Sequence, residues 1–266
     1  MKQQALEIAA QAKNPSQQLN LLREYLQAFA LRALHESEAF LPLSFVGGTA
    51  LRFLYNLPRF SEDLNFSLES KQRYDPDAWM KKLKRDLDFA GFVSTVSWKS
   101  ERTVAAGWIK VSGLLKEVGL SGEAQHNLSI KIEVDQKPPQ GARMERTIVN
   151  RHFLVAFQHH DLPSLMAGKI AALLCRPYVK GRDWYDLMWY LARRPAVQPN
   201  LELMQNAILQ QAQNQWDVAD WQNHLLKKIA VMDWKKLRAD VAPFLERPEE
   251  IEMLTKELFQ SILRSD

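Results

Sequence analysis

Residue types able to grip phosphate and metal fall together in one stretch. Gly47-Gly48 follows a short apolar run, Leu43 to Val46, that suits a strand. The pair precedes Thr49 to Leu57, whose apolar spacing fits a helix. A glycine pair at a strand-to-helix turn lets backbone N–H groups approach a phosphate closely, and the helix N-terminus adds partial positive charge. An ordinary tight turn would use the same pair, so the glycines alone decide nothing. Beyond Pro58, Asp63 to Leu68 alternates, with Asp63, Asn65 and Ser67 on one face and Leu64, Phe66 and Leu68 on the other. That pattern predicts a strand with one buried face. Its polar face would meet the glycine cradle and offer oxygen ligands to a hard cation.

Further candidates lie downstream. Leu128 to Gln136 alternates with Ile130, Ile132 and Val134 one way and Lys131, Glu133 and Asp135 the other. Carboxylates beside an apolar strand face need either solvent or a partner, because an unpaired buried one is costly. From Leu162 the period turns helical, and Lys169 stands among Leu165, Ile170, Leu173 and Leu174. Such a lysine can be an ordinary snorkelling side chain. Asp183 and Asp186 lie three apart and share a helix face, and Asp183 in the first turn could serve as a cap.

In order, the chain runs strand, Gly47-Gly48-Thr49-Ala50-Leu51, helix, then Arg59-Phe60-Ser61-Glu62-Asp63-Leu64-Asn65-Phe66. This resembles the DNA polymerase β-like nucleotidyltransferases. Among them it is similar to the abortive-infection, phage-defence toxins of the AbiEii type, the toxin half of type IV toxin–antitoxin pairs. Lys169 on a helix and Arg182-Asp183-x-x-Asp186-Leu187 match the later motifs of that family, so the resemblance covers roughly Leu19 to Leu191. It implies transfer of a nucleoside monophosphate from an NTP to an RNA acceptor, first of all tRNA, with Mg²⁺ or Mn²⁺ and a cognate antitoxin as partner. On this reading Gly47, Gly48 and Thr49 hold the triphosphate, and Ser61 touches phosphate through its hydroxyl. Asp63 binds metal with Asn65 beside it, and Glu133 completes the set with Asp135 in reserve. Lys169 neutralises phosphate charge, Asp186 orients Lys169 or supports the nucleotide, and Arg182 joins the nucleotide contacts. The family usually has a second aspartate where this chain has Asn65, and an amide oxygen ligates Mg²⁺ without a full charge. Two other readings therefore stand beside RNA transfer: transfer to a protein hydroxyl, and a non-catalytic nucleotide- or RNA-binding regulator.

The elements that must position these residues follow from pattern. The fold expected is α+β: a nucleotidyltransferase-like mixed sheet flanked by helices, followed by a C-terminal helical bundle. Residues 1–161 would form the α/β domain with its N-terminal helices. Residues 162–266 would form a helical domain that contributes to the active site. A long helix from Asn14-Pro15-Ser16 to about Ser37 carries an apolar stripe, Leu19 to Ala33. Strands are expected at Phe92–Lys99 and Val104–Val111, around Ser100-Glu101-Arg102, and Glu145 to Phe157 as one edge strand. Helices are expected at Leu201–Ala212, Val218–Ala230, Trp234–Leu245 and Ile251–Leu263, with Trp216, Trp221 and Trp234 as contacts.

The 266 residues carry 46% hydrophobic and 25% charged side chains, as an ordinary globular protein does. The net charge of +4 permits a nucleic-acid partner without requiring one. Lys81, Lys82, Lys84 and Arg85 on one helix, and Lys227, Lys228, Lys235, Lys236 and Arg238 near the end, could track a nucleic-acid backbone. A solvated face would look the same. With Cys175 as the one cysteine, an intrachain disulfide and a cysteine-built zinc site are excluded, and a reducing cytoplasm is the expected home. No apolar run reaches the roughly 18 residues of a membrane span.

Overall fold

The computed structural model describes residues 1–100, 103–212 and 217–264. Glu101 and Arg102, expected in a hairpin turn, and Trp216, expected as a helix contact, lie outside the described residues. The chain divides into two units. The first joins Met1–Asn56, Phe60–Pro138 and Glu145–His159; the second joins Leu57–Arg59, Pro139–Met144 and His160–Asp266.

In the first unit, helices α1 (Lys2–Ala10) and α2 (Pro15–Glu36) precede β1 (Leu43–Val46), α3 (Gly47–Tyr55) and β2 (Leu64–Leu68). Next come α4 (Pro76–Phe89), β3 (Val93–Lys99), β4 (Val104–Ser112), α5 (Leu114–Glu117) and β5 (Leu128–Asp135). The strands β6 (Met144–Arg151) and β7 (Phe153–His160) complete a mixed seven-stranded sheet of order β3-β4-β5-β2-β1-β7-β6. β2 runs parallel to β5 and antiparallel to β1. β5 buries Leu128, Ile130, Ile132 and Val134 and turns Lys131, Glu133 and Asp135 outward, as its alternation predicts. Phe45 of β1 stacks on Phe157 of β7 at 5.3 Å and on Phe66 of β2 at 5.4 Å, tying the three central strands together. Each such ring contributes about 2 kcal/mol through burial.

One expectation needs correction. Glu145 to Phe157 is not a single edge strand but most of a hairpin, β6 and β7. His152, at φ 63, reverses the chain in the left-handed region. Only β6 is the edge; β7 lies inside the sheet, parallel to β1.

α2 begins as expected, with Asn14 accepting from the Gln17 N–H at 2.9 Å and Pro15 in the first turn. Its buried face holds Leu22, Tyr25, Leu26 and Phe29, and also Glu24 and Gln27. Glu24 is bound by Arg52, by Arg151 at 3.2 Å and by His152 at 3.5 Å. Burial works against its charge, but the His152 hydrogen bond and the Arg52 guanidinium prevail, and its pKa falls from 4.5 to about 2. A carboxyl whose folded pKa is depressed stabilises above its unfolded pKa and loses that contribution as pH falls toward the folded value. The advantage of wild type over Glu24→Gln should be about 3 kcal/mol at neutral pH, from the size of that shift. It should shrink below pH 4.5 and vanish near pH 2, as urea unfolding at a series of pH values will read.

The basic face of α4 is largely paired within itself and with α2: Lys82 with Glu36 and Asp86, and Lys84 with Asp88. Pairs of this kind are ordinary on a solvated helix face.

The second unit is helical: α6 (Leu162–Cys175), α7 (Gly181–Leu191), α8 (Leu201–Ala212), α9 (Trp221–Ala230), α10 (Trp234–Val241) and α11 (Lys256–Arg264). α6 is capped by Asp161, which accepts from the Ser164 N–H at 2.8 Å. The last three expected helices are each shortened by a 3₁₀ turn, at Val218–Asp220, Ala242–Phe244 and Pro248–Met253. Pro243 and Pro248 cause two of these, since each removes a backbone donor. Thr255 then starts α11 by accepting from the Leu258 N–H. Trp221 is buried, and Trp234 packs on Phe259 at 5.7 Å. Two of the terminal basic residues serve the fold. Lys228 donates to the carbonyls of Leu173 and Arg176 at the end of α6, and Arg238 donates to that of Leu254. Among the described residues no helix is long and apolar enough to cross a membrane.

Candidate active site

The glycine turn and the polar strand faces meet within the first unit. Gly47 opens α3 at φ +80, in the left-handed region, and a Cβ there would stand 3.2 Å from the Asn65 amide nitrogen. The position therefore needs glycine both for its backbone and for the space that Asn65 occupies. Val46, the residue before α3, provides no side-chain cap, so the first-turn amides keep their affinity for an anion. In register, Val46 pairs with Asn65 and Asn65 with Glu133. One row across β5, β2 and β1 thus runs from a carboxylate, through an amide, to the glycine turn.

Asp63 precedes β2 by one residue. Its backbone carbonyl accepts from the Thr49 hydroxyl, which is buried and fixes the first turn of α3 to the start of β2. The Thr49 side chain is thus engaged with the backbone rather than directed at a phosphate. Gln27, buried on α2, donates to the carbonyls of Ser61 and Glu62 at 3.1 and 2.9 Å, holding the segment that carries the Ser61 hydroxyl. Glu133 is paired with Lys131. Asp135 lies two residues farther from the glycine turn, opposite Ser67, and accepts from the Lys137 N–H at 3.0 Å. Burial raises the Asp135 pKa.

Among the described residues no group of three or more His, Cys, Asp or Glu side chains forms a ready metal cage. Asp63, Asn65 and Glu133 instead offer two carboxylates and an amide oxygen. That set fits Mg²⁺, which keeps waters and takes its remaining ligands from substrate phosphates.

The second unit gathers the later motif residues. Lys169 of α6 lies between two carboxylates of α7, Asp183 at 2.6 Å and Asp186 at 2.8 Å. Arg59 grips Asp186 with both arms of its guanidinium, each at 2.6 Å, and both side chains are buried. Arg176 holds the other oxygen of Asp183. Asp183 is thus an ion-pair partner and not a side-chain cap, since α7 has none. Arg59, Lys169 and Arg176 thus surround the two carboxylates.

Burial disfavours the Lys169 ammonium, but Asp183 and Asp186 outweigh it and raise its pKa above that of a free lysine. Burial likewise opposes the Asp183 charge, and Lys169 with Arg176 drives its pKa far below the usual carboxylate range. The Arg182 guanidinium stacks on Phe244 at 4.2 Å, and its backbone N–H reaches Asp240.

Arg59 and Gln27 were not assigned roles from sequence. Arg59 stands in the first motif, but nothing local reveals a partner 127 residues away. Gln27 breaks an apolar stripe, and a polar residue at a buried helix position was its only signal.

The fold resembles solved nucleotidyltransferase structures. One, described provisionally as a nucleotidyltransferase from H. pylori, aligns at a TM-score of 0.55 with 18% identity, covering 92% of this chain and 94% of that one. Another, JHP933 from Helicobacter pylori, aligns at 0.53 with 18% identity, covering 92% of each. No curated protein matches the sequence. The model of the AbiEii nucleotidyl transferase toxins of type IV toxin–antitoxin systems matches residues 30–264. The chain belongs to that family and is a nucleotidyltransferase.

Proposed function

We propose that this chain moves a nucleoside monophosphate from an NTP to the hydroxyl of an RNA acceptor, tRNA being the first to test, with Mg²⁺. The observation that carries the reading is the register row Glu133–Asn65–Val46 across β5, β2 and β1, with Gly47 directly after Val46 and Asp63 at the row's edge. It sets oxygen ligands beside uncapped helix amides, the two things a metal–triphosphate needs.

An acceptor oxygen attacks the α-phosphorus, the bond from that phosphorus to the β-bridging oxygen breaks, and pyrophosphate leaves with those electrons. The acceptor proton passes to solvent. The backbone amides of Gly47, Gly48 and Thr49 hold the phosphates, and Ser61 adds its hydroxyl. Asp63 and Glu133, with the Asn65 carbonyl, are the residues that would hold Mg²⁺, which when bound offsets charge on the phosphoryl oxygens. By the family motifs, Lys169 neutralises phosphate and Asp186 fixes its position, a role consistent with their 2.8 Å pairing. The family also makes a cognate antitoxin the expected protein partner.

Purified protein should transfer label from α-³²P NTPs in Mg²⁺ to a mixture of total tRNA and cell lysate. Product that resists protease and is lost to ribonuclease supports an RNA acceptor. Label that resists ribonuclease and is lost to protease overturns it in favour of a protein hydroxyl.

A further inference from the structure

Beside Asp63 the first unit opens a cleft of about 570 Å³, within the range that accepts nucleotide-sized ligands. Its wall includes Trp108, Arg23, Glu62, His126 and Ser129. Trp108 is 40% exposed although β4 is an interior strand and its neighbours Gly107 and Ile109 are buried. It stands on the open face of the strand, at the cleft wall, where its ring offers a flat apolar surface to a ligand.

Register places Trp108 opposite Lys131, two residues before Glu133, so the indole shares a sheet face with the proposed metal donors. The Lys131 ammonium lies 5.8 Å from the indole centroid and pairs with Glu133, bridging ring and carboxylate. At the cleft wall the Asn127 side-chain oxygen accepts from the Ser112 hydroxyl at 2.7 Å.

We propose that Trp108 is the stacking platform for a nucleobase, with Asn127 and His126 at its edge and Asp63 toward the phosphates. The inference rests on the nucleotidyltransferase reading and names its base subsite. The base belongs either to the incoming NTP or to the acceptor RNA, and stacking on an indole suits both.

Equilibrium binding separates the sources. Radiolabelled NTP with Mg²⁺ and a short single-stranded RNA are each titrated against wild type, Trp108→Ala and Trp108→Phe, with circular dichroism melts to verify folding. Loss of about tenfold in affinity for one ligand in Trp108→Ala, with most of it restored by Trp108→Phe, is expected from base–aromatic stacking. The ligand affected identifies whose base it is. Unchanged affinity for both ligands in a folded Trp108→Ala overturns the proposal. Binding does not require turnover, so failed transfer by wild type would defeat the parent reading while this result still stands.

Discussion

Asp186→Ala will destabilise the protein by about 3–5 kcal/mol, the usual cost of removing one member of a buried ion pair. Asp186 is fully buried and holds Arg59 through two hydrogen bonds and Lys169 through a third contact. Truncation removes both hydrogen bonds that the carboxylate makes to the buried guanidinium and its contact with the Lys169 ammonium. Its effect should exceed that of Asp183→Ala. There Lys169 keeps Asp186, and Arg176, about one-third exposed, reaches solvent. Urea unfolding of the two variants checks the order. A loss below about 1 kcal/mol for Asp186→Ala would mean that the pair contributes as little as an exposed one.

Asp63→Ala should act in the opposite way, abolishing transfer while sparing stability. Removing the carboxylate proposed to hold the metal is expected to slow turnover by about 10³-fold or more, equal to ~4 kcal/mol of transition-state stabilisation. The bond from the Thr49 hydroxyl to the backbone carbonyl of Asp63 survives the substitution. Stability should stay within about 1 kcal/mol of wild type, as for a substitution away from core features. Steady-state rates and melting curves on one preparation measure both. The pair of variants thus separates a residue whose charge holds a unit together from one whose charge serves the reaction.

The sequence made the first motif readable because its parts are local. A glycine at positive φ, a strand of period two and a polar face need only a few consecutive residues to declare themselves. β5 was legible for the same reason, with Glu133 and Asp135 opposite Ile132 and Val134. What escaped depends on distant pairing. The carboxylate that holds Arg59 is 127 residues away, and Asp183 looked like a cap until its partners Lys169 and Arg176 were seen. The β6–β7 hairpin was missed because its reversal rests on His152 alone, with no Gly or Pro to mark it. Asn65 carried a different lesson. Read as a motif position it is a lost carboxylate; read in place it is the side chain that fills the space above Gly47 and lines up with Glu133.

The most direct measurement is the fate of label from α-³²P and γ-³²P NTP in parallel reactions with Mg²⁺ and tRNA. If a metal–triphosphate is gripped at the glycine turn and attacked at its α-phosphorus, the α label will enter the RNA and the γ label will leave as pyrophosphate. Both will be lost in Asp63→Ala. Transfer of the γ label, or α-label transfer undiminished in Asp63→Ala, would contradict the account.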